Sequence, residues 1–265
     1  MRLKISHVTE YHYQEPVEYA LQRLRLTPKD SPGQKVLHWQ TSVSGAGHEA
    51  AYNDHFGNRV ELVSITGGEK EIRVIAEGEV ETEERHGVFG PNLGNVPLWL
   101  FRRDTALTRP GRHIRELVRF IAGDGDLGRM HNLMGAIHTA VEYRTGATGP
   151  ETTAEQALEL RAGVCQDHAH IFIAAARHMG LPARYVSGYM LDGSAVSAAS
   201  HAWAEIHIDG LGWVGFDAAN DICPDERYVR VACGLDYTDA APVSGMLVGA
   251  SRGTMNVSVN VEQCQ

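Results

Sequence analysis

The chain has 265 residues and a formal net charge of −9, with 43% hydrophobic and 22% charged residues. This is the makeup of an ordinary globular protein with room for two modest domains. It argues against nucleic-acid binding, because no Lys/Arg run offers a stripe for phosphates, and against a membrane span, because no stretch nears the roughly 20 apolar residues required.

Residues 1–7 alternate apolar and polar, unlike the continuous apolar segment of a secretory signal. A cytoplasmic location with reduced thiols is therefore expected for Cys165, Cys223, Cys233 and Cys264. A Cys223–Cys233 disulfide runs against that compartment, and no Cys-x2-Cys pair suggests a zinc ribbon.

Residues 1 to about 85 read as antiparallel β structure. Leu3, Ile5 and His7, then Leu24 and Leu26, alternate with polar neighbours, and further strands are predicted over 36–43, 59–65 and 71–80. Turn-forming groups at 28–33, Asn53-Asp54, Gly57-Asn58 and Gly67-Gly68 separate them. A connector over 86–111 follows, punctuated by Gly87, Gly90-Pro91, Gly94, Pro97 and Pro110-Gly111. Its Leu98-Trp99-Leu100-Phe101 is expected to pack on one of the domains.

Helical periodicity begins at 112–122. It continues through Leu127, Met130, Leu133, Met134, Ile137 and Val141, and again over 153–160 with a capped start around Thr153 and Gln156. The run 165–179 is apolar on nearly all sides and reads as a central, buried helix ended by Gly180-Leu181-Pro182. Strands are predicted over 183–190, 201–208 and 213–217. The alternation of Met255, Val257, Val259 and Val261 predicts a last strand over 254–262 that returns to the N-terminal domain. The domains expected are 1–100, 101–240 and a C-terminal strand segment, 241–265.

The chemistry centres on Cys165, in Gly163-Val164-Cys165-Gln166-Asp167-His168-Ala169-His170. In the first turn of a helix, unpaired amides favour a thiolate, and a nearby imidazolium favours it further. Gly163 lets the backbone turn tightly into the helix, and the Cys165 amide is a candidate oxyanion donor. A lone buried cysteine is ordinarily a small hydrophobe, so the case needs a base and an acid.

Strand parity supplies them. In 201–208, Ala202, Ala204, Ile206 and Ile208 share one face, and His201, Trp203, Glu205 and His207 share the other. In 213–217, Val214 and Phe216 alternate with Trp213, Gly215 and Asp217. Burying both apolar faces together puts His201 and Asp217 on one polar face as cross-strand neighbours, diagonal or directly opposite according to the turn. Trp203 and Trp213 either wall the cleft or simply pack, while Glu205 and His207 read as structural or solvated. His168 and His170, two apart on a helix, diverge too far to share a metal ion. They read as packed or capping residues, and Asp167 as a complement to the helix dipole. No cofactor motif or metal-ligand pattern such as His-Glu-x-x-His is found.

At these motifs the sequence resembles the bacterial transglutaminase-like proteins of the papain-like cysteine peptidase and transglutaminase superfamily. The residues that carry the likeness are Gly163-Val164-Cys165-Gln166-Asp167-x-Ala169-His170, the run from Gly180-Leu181-Pro182 to Gly188-Tyr189, His201-Ala202-Trp203, and Gly212-Trp213-Val214-Gly215-Phe216-Asp217. Tyr11-His12-Tyr13, Leu24-Arg25-Leu26-x-Pro28 and Asp54-His55-Phe56-Gly57-Asn58 are similar to the β domain that often precedes this core. Two departures stand out: His168 replaces a common Phe, and Ala218-Ala219-Asn220 replaces Pro-Thr-Asn.

The resemblance implies an α+β protein. An N-terminal antiparallel β domain would precede a papain-like, transglutaminase-like core, with a helix-borne cysteine packed on an antiparallel sheet carrying histidine and aspartate. It also implies Cys165 as nucleophile, His201 as general base and Asp217 as orienter. The expected activity is acyl transfer from a peptide or carboxamide through a thioester, with water as the default acceptor and an amine as the alternative. A peptide or protein substrate is the expected partner, and a non-catalytic interaction protein retaining the fold is the contrasting reading.

Overall fold

The computed structural model describes residues 1–92, 96–193, 200–249 and 253–264; Gly94 of the connector lies outside them. The first third of the chain forms strands β1 (Arg2–Leu24), β2 (Gln34–Val43), β3 (Ala46–Asn53) and β4 (Arg59–Thr82). β1 and β4 pair antiparallel from Arg2 opposite Glu81 to Leu24 opposite Glu61. At 23 and 24 residues they are several times longer than an ordinary strand, so each outer edge accommodates two partners. β2 and β3 line β4, and two C-terminal strands line β1.

The segments predicted over 59–65 and 71–80 are thus two halves of one strand. Gly67-Gly68, expected as a turn, lie within β4, and the register against β1 shifts opposite them, between His12 and Tyr19. Their φ values of +139° and +76° bend the strand without reversing it, as at a β-bulge. β3 escaped the sequence reading because most of its side chains on both faces are exposed, which leaves no alternation to detect.

After β5 (Val88–Gly90) and a 3₁₀ turn at Leu98–Arg102, the chain becomes helical: α1 (Arg112–Arg119) and α2 (Gly125–Ala140). A short parallel pair, β6 (Glu142–Tyr143) and β7 (Ala162–Gly163), brackets α3 (Ala154–Leu160) and leads into α4 (Cys165–His178). The capped start expected for α3 is present: Thr153 and Gln156 exchange side-chain-to-backbone hydrogen bonds. β8 (Ala183–Met190), β9 (His201–Ile208), β10 (Gly212–Phe216) and β11 (Tyr228–Gly234) build the second sheet, in the order β11-β8-β9-β10-β5. The short helix α5 (Tyr237–Ala240) precedes β12 (Val243–Val248) and β13 (Gly253–Gln263), which pair with β1.

α4 is buried all round, as its sequence requires. Ile171, Phe172, Ile173 and Ala174 have no exposed surface and pack on Ala202, Ala204, Ile206, Val214 and Phe216. The opposite face of the sheet is covered too. Trp203, Trp213 and Tyr228 cluster with Phe101 of the connector and Phe56 of the N-terminal region, while Trp99 stays exposed. A third cluster joins the sheets through Leu3, Ile5 and Val80 against Tyr189, Val229 and Val231.

Candidate active site

β9 and β10 meet in the register that a turn at 209–211 dictates: Ile206 opposite Val214 and Glu205 opposite Gly215, residue numbers summing to 420. Continued to the strand ends, this places His201 diagonal to Asp217. His201 Nε2 lies 2.6 Å from Asp217 Oδ2. Asp217, almost fully buried, also accepts from the Tyr228 hydroxyl at 2.7 Å, Asn220 Nδ2 at 2.7 Å and the Ala219 amide at 3.0 Å.

Cys165 is the first residue of α4. Its thiol points to the Ser200 carbonyl at 4.0 Å, one residue before His201. The helix start is shaped by Asp167, whose Oδ2 accepts from the Val164 amide at 2.8 Å and the Thr148 hydroxyl at 2.6 Å. Asp167 therefore caps the helix as well as complementing its dipole. Gly163 serves differently from the sequence expectation. Its φ is not positive, but a Cβ there would stand 2.6 Å from the Asp167 Cβ. Its bareness makes room for the capping carboxylate.

His168 and His170 make separate structural bonds. The His168 ring bridges the Val164 and Val141 carbonyls at 2.8 and 3.1 Å. His170 Nε2 accepts from the Tyr237 amide at 3.1 Å, and burial pushes its pKa down to about 4, so it stays neutral. Among the described residues, no group of three His, Cys, Asp or Glu side chains is arranged to hold a metal ion.

Burial alone would lower the pKa of His201. The hydrogen bonds to Asp217 and Cys165, with the charges on both, outweigh burial and raise it to about 10. For Asp217, burial raises the pKa, but His201, Asn220 and Tyr228 together hold it below the usual value. At neutral pH the pair is an imidazolium–carboxylate. With Nε2 taken by Asp217, Nδ1 is the ring nitrogen left to face Cys165.

The structure thus brings Cys165, His201 and Asp217 to one end of β9. Trp203 lies beside His201, ring centroids 6.3 Å apart at 27°. Trp213 sits farther along, beneath Arg184. Glu205, expected to be structural or solvated, is buried in an ion pair with Arg184. Sequence reasoning missed Tyr228 and Asn220 as partners of Asp217, and Tyr143. Partial burial of the half-exposed Tyr143 and then the neighbouring Cys165 push its phenol up to about 12. Asn220, three residues after Asp217, was within reach of a local reading, since Asn and Asp side chains commonly bond to groups two or three positions away.

A helix-start cysteine beside a strand-borne histidine–carboxylate pair is the arrangement of a thiol-enzyme class. Residues 3–81 match the model of the bacterial transglutaminase-like N-terminal region, and residues 116–218 match that of the transglutaminase-like superfamily. The chain belongs to the bacterial transglutaminase-like family. An uncharacterized Mycobacterium tuberculosis protein is 30% identical over 98% of this chain and 92% of its own, and one from Mycobacterium leprae is 29% identical over 98% of both. The crystal structure of a presumed cysteine protease from Cytophaga hutchinsonii shares the fold, with a TM-score of 0.79 at 23% identity, covering all of this chain and 92% of that one.

Proposed function

We propose that the protein is a thiol-dependent amide hydrolase that cleaves peptide or carboxamide bonds through Cys165, His201 and Asp217. The observation that carries this reading is His201, partly exposed, bonded to Asp217 at 2.6 Å and neighbouring the thiol at the start of α4. Its imidazolium places a proton and a positive charge beside the sulfur that attacks.

The thiolate attacks the carbonyl carbon, forming the C–S bond as the carbonyl electrons move to oxygen. The Cys165 amide, at the helix start, is placed to donate to that oxyanion. His201 gives its proton to the departing nitrogen, the C–N bond breaks and a thioester remains. Water then attacks the thioester carbon as His201 takes its proton, the C–S bond breaks with its electrons returning to sulfur, and the acid leaves as the thiolate–imidazolium pair re-forms. Asp217 fixes the ring and balances its charge throughout.

The test combines a thiol-alkylating probe with a screen of peptide and glutamine-containing substrates, with and without an amine. Cys165 is expected to alkylate at least about tenfold faster than the other three cysteines at pH 7, and Cys165→Ala to abolish cleavage. Cleavage retained in that variant overturns the reading. Product that incorporates the amine in preference to water replaces hydrolysis by amine transfer.

A further inference from the structure

The face of β9 that carries His201 carries a second charged group farther along. Glu205 is wholly buried. It accepts from Arg184 of β8, Nε at 2.6 Å and Nη2 at 2.5 Å, and lies 3.1 Å from Nε of Arg230 on β11. One carboxylate thus serves two guanidiniums whose side chains are 10% and 14% exposed. Burial lowers the Arg184 guanidinium and Glu205 only partly offsets it, whereas at Arg230 burial is outweighed by Glu205 and Cys233 together. A single negative charge cannot compensate both.

The arginines line a cavity of about 620 Å³ between the N-terminal sheet and the core, with Lys29 at its exposed mouth. That volume suits a small organic ligand. Its acids are already engaged. Asp30 accepts from the Val36 amide, and Asp54 from the Phe56 and Asn58 amides and the Asn58 side chain, while pairing with Arg25 at 3.5 Å. Setting aside the Arg25–Asp54 pair, the charged groups among the described lining residues are Lys29, Arg184, Arg230 and Asp30, and Glu205 behind the arginines brings the count to three positive charges against two negative. Trp213 supports the Arg184 guanidinium from 3.9 Å, and Phe56 and Phe89 add apolar wall. Cys165, His201 and Asp217 are not among the lining residues.

We propose that this cavity binds a small organic anion, its carboxylate or phosphate head held by Arg184 and Arg230 and its flat apolar body against Phe56 and Phe89. Arginine suits the task because its planar fork matches two oxyanion oxygens at once. The anion's negative charge supplies the compensation that Glu205 alone does not give the two arginines. The site stands on its own whatever reaction Cys165 performs.

The experiment is calorimetric titration and thermal denaturation of the full chain at fixed ionic strength, with benzoate, inorganic phosphate and neutral benzamide as probes. Saturable binding of benzoate or phosphate, at least tenfold tighter than benzamide, supports the site, and the preferred anion identifies the head group. Arg230→Gln is expected to weaken that binding tenfold or more. It should leave the anion-free melting temperature unchanged or higher, because a neutral Arg184–Glu205 pair remains. Lys29→Gln, at the mouth, should weaken binding severalfold and serves if Arg230→Gln does not fold. The proposal is overturned if neither anion binds saturably, or if both variants that fold bind as the wild type does.

Discussion

Two buried carboxylates on adjacent strands of one sheet are treated in opposite ways. Asp217 faces a single imidazolium and three neutral donors, the Tyr228 hydroxyl, the Asn220 amide and the Ala219 backbone. Among the described residues Glu205 faces two guanidiniums and no neutral donor. The first arrangement fixes one ion pair and shields it. The second leaves a positive charge unmatched in a poorly solvated place, which is costly unless something else completes it. Tyr228 and Arg230 sit two apart on β11, so a single strand supplies the neutral partner to one site and the surplus cation to the other.

The sharpest way to break this contrast is Asp217→Asn. The side chain keeps its size but loses the charge that fixes the His201 tautomer. Amide cleavage is expected to fall on the order of 10³–10⁴-fold with the fold retained by circular dichroism; a fall of less than tenfold would separate Asp217 from the chemistry. Glu205→Gln should act on stability instead. It leaves two buried guanidiniums without a counter-charge, an expected loss of about 3–5 kcal/mol in urea denaturation, and added benzoate should recover part of it.

Tyr228→Phe removes one donor from a charged acceptor that keeps three others. An expected loss of about 1.5–3 kcal/mol, with the His201 pKa measured by NMR, tests whether the neutral donors matter to the pair. A separate effect is on pH dependence. His201 has a folded pKa near 10 against about 6.5 unfolded. Its contribution is complete below pH 6.5 and is lost as pH rises through 10. Wild-type stability should therefore decline from pH 6.5 to 10 more steeply than that of His201→Gln, and parallel curves would show that the imidazolium adds nothing to folding.

Much of the candidate site was legible because it depends on short-range geometry. A turn at 209–211 and the alternation of Ala202, Ala204 and Ile206 with His201, Trp203 and Glu205 suffice to bring His201 beside Asp217. The helix of Cys165 declares itself by its all-round apolarity. What stayed hidden depends on distant chain segments. Trp203 and Trp213 read equally as cleft wall or as packing; Phe56 and Phe101 cover them, and nothing local announces a cover from 100 residues or more away. Tyr228 and Arg230 alternate with Val229 and Val231, a pattern that resembles a strand with one wet face, although Tyr228 is buried against Asp217. In the first sheet, Gly67-Gly68 has the composition of a reversal, and only the pairing with β1 shows that the strand runs on.

The pairing of β13 with β1, Leu3 opposite Gln263 and Tyr13 opposite Gly253, ties the two ends of the chain together. During synthesis β1 emerges well before β12 and β13 and must wait for them. Until the ribosome releases residues 243–263, the outer edge of β1 offers a row of unsatisfied amides and carbonyls to any neighbouring chain. A nascent chain is therefore exposed to mispairing along β1, and β13 acts as the clasp that closes the sheet.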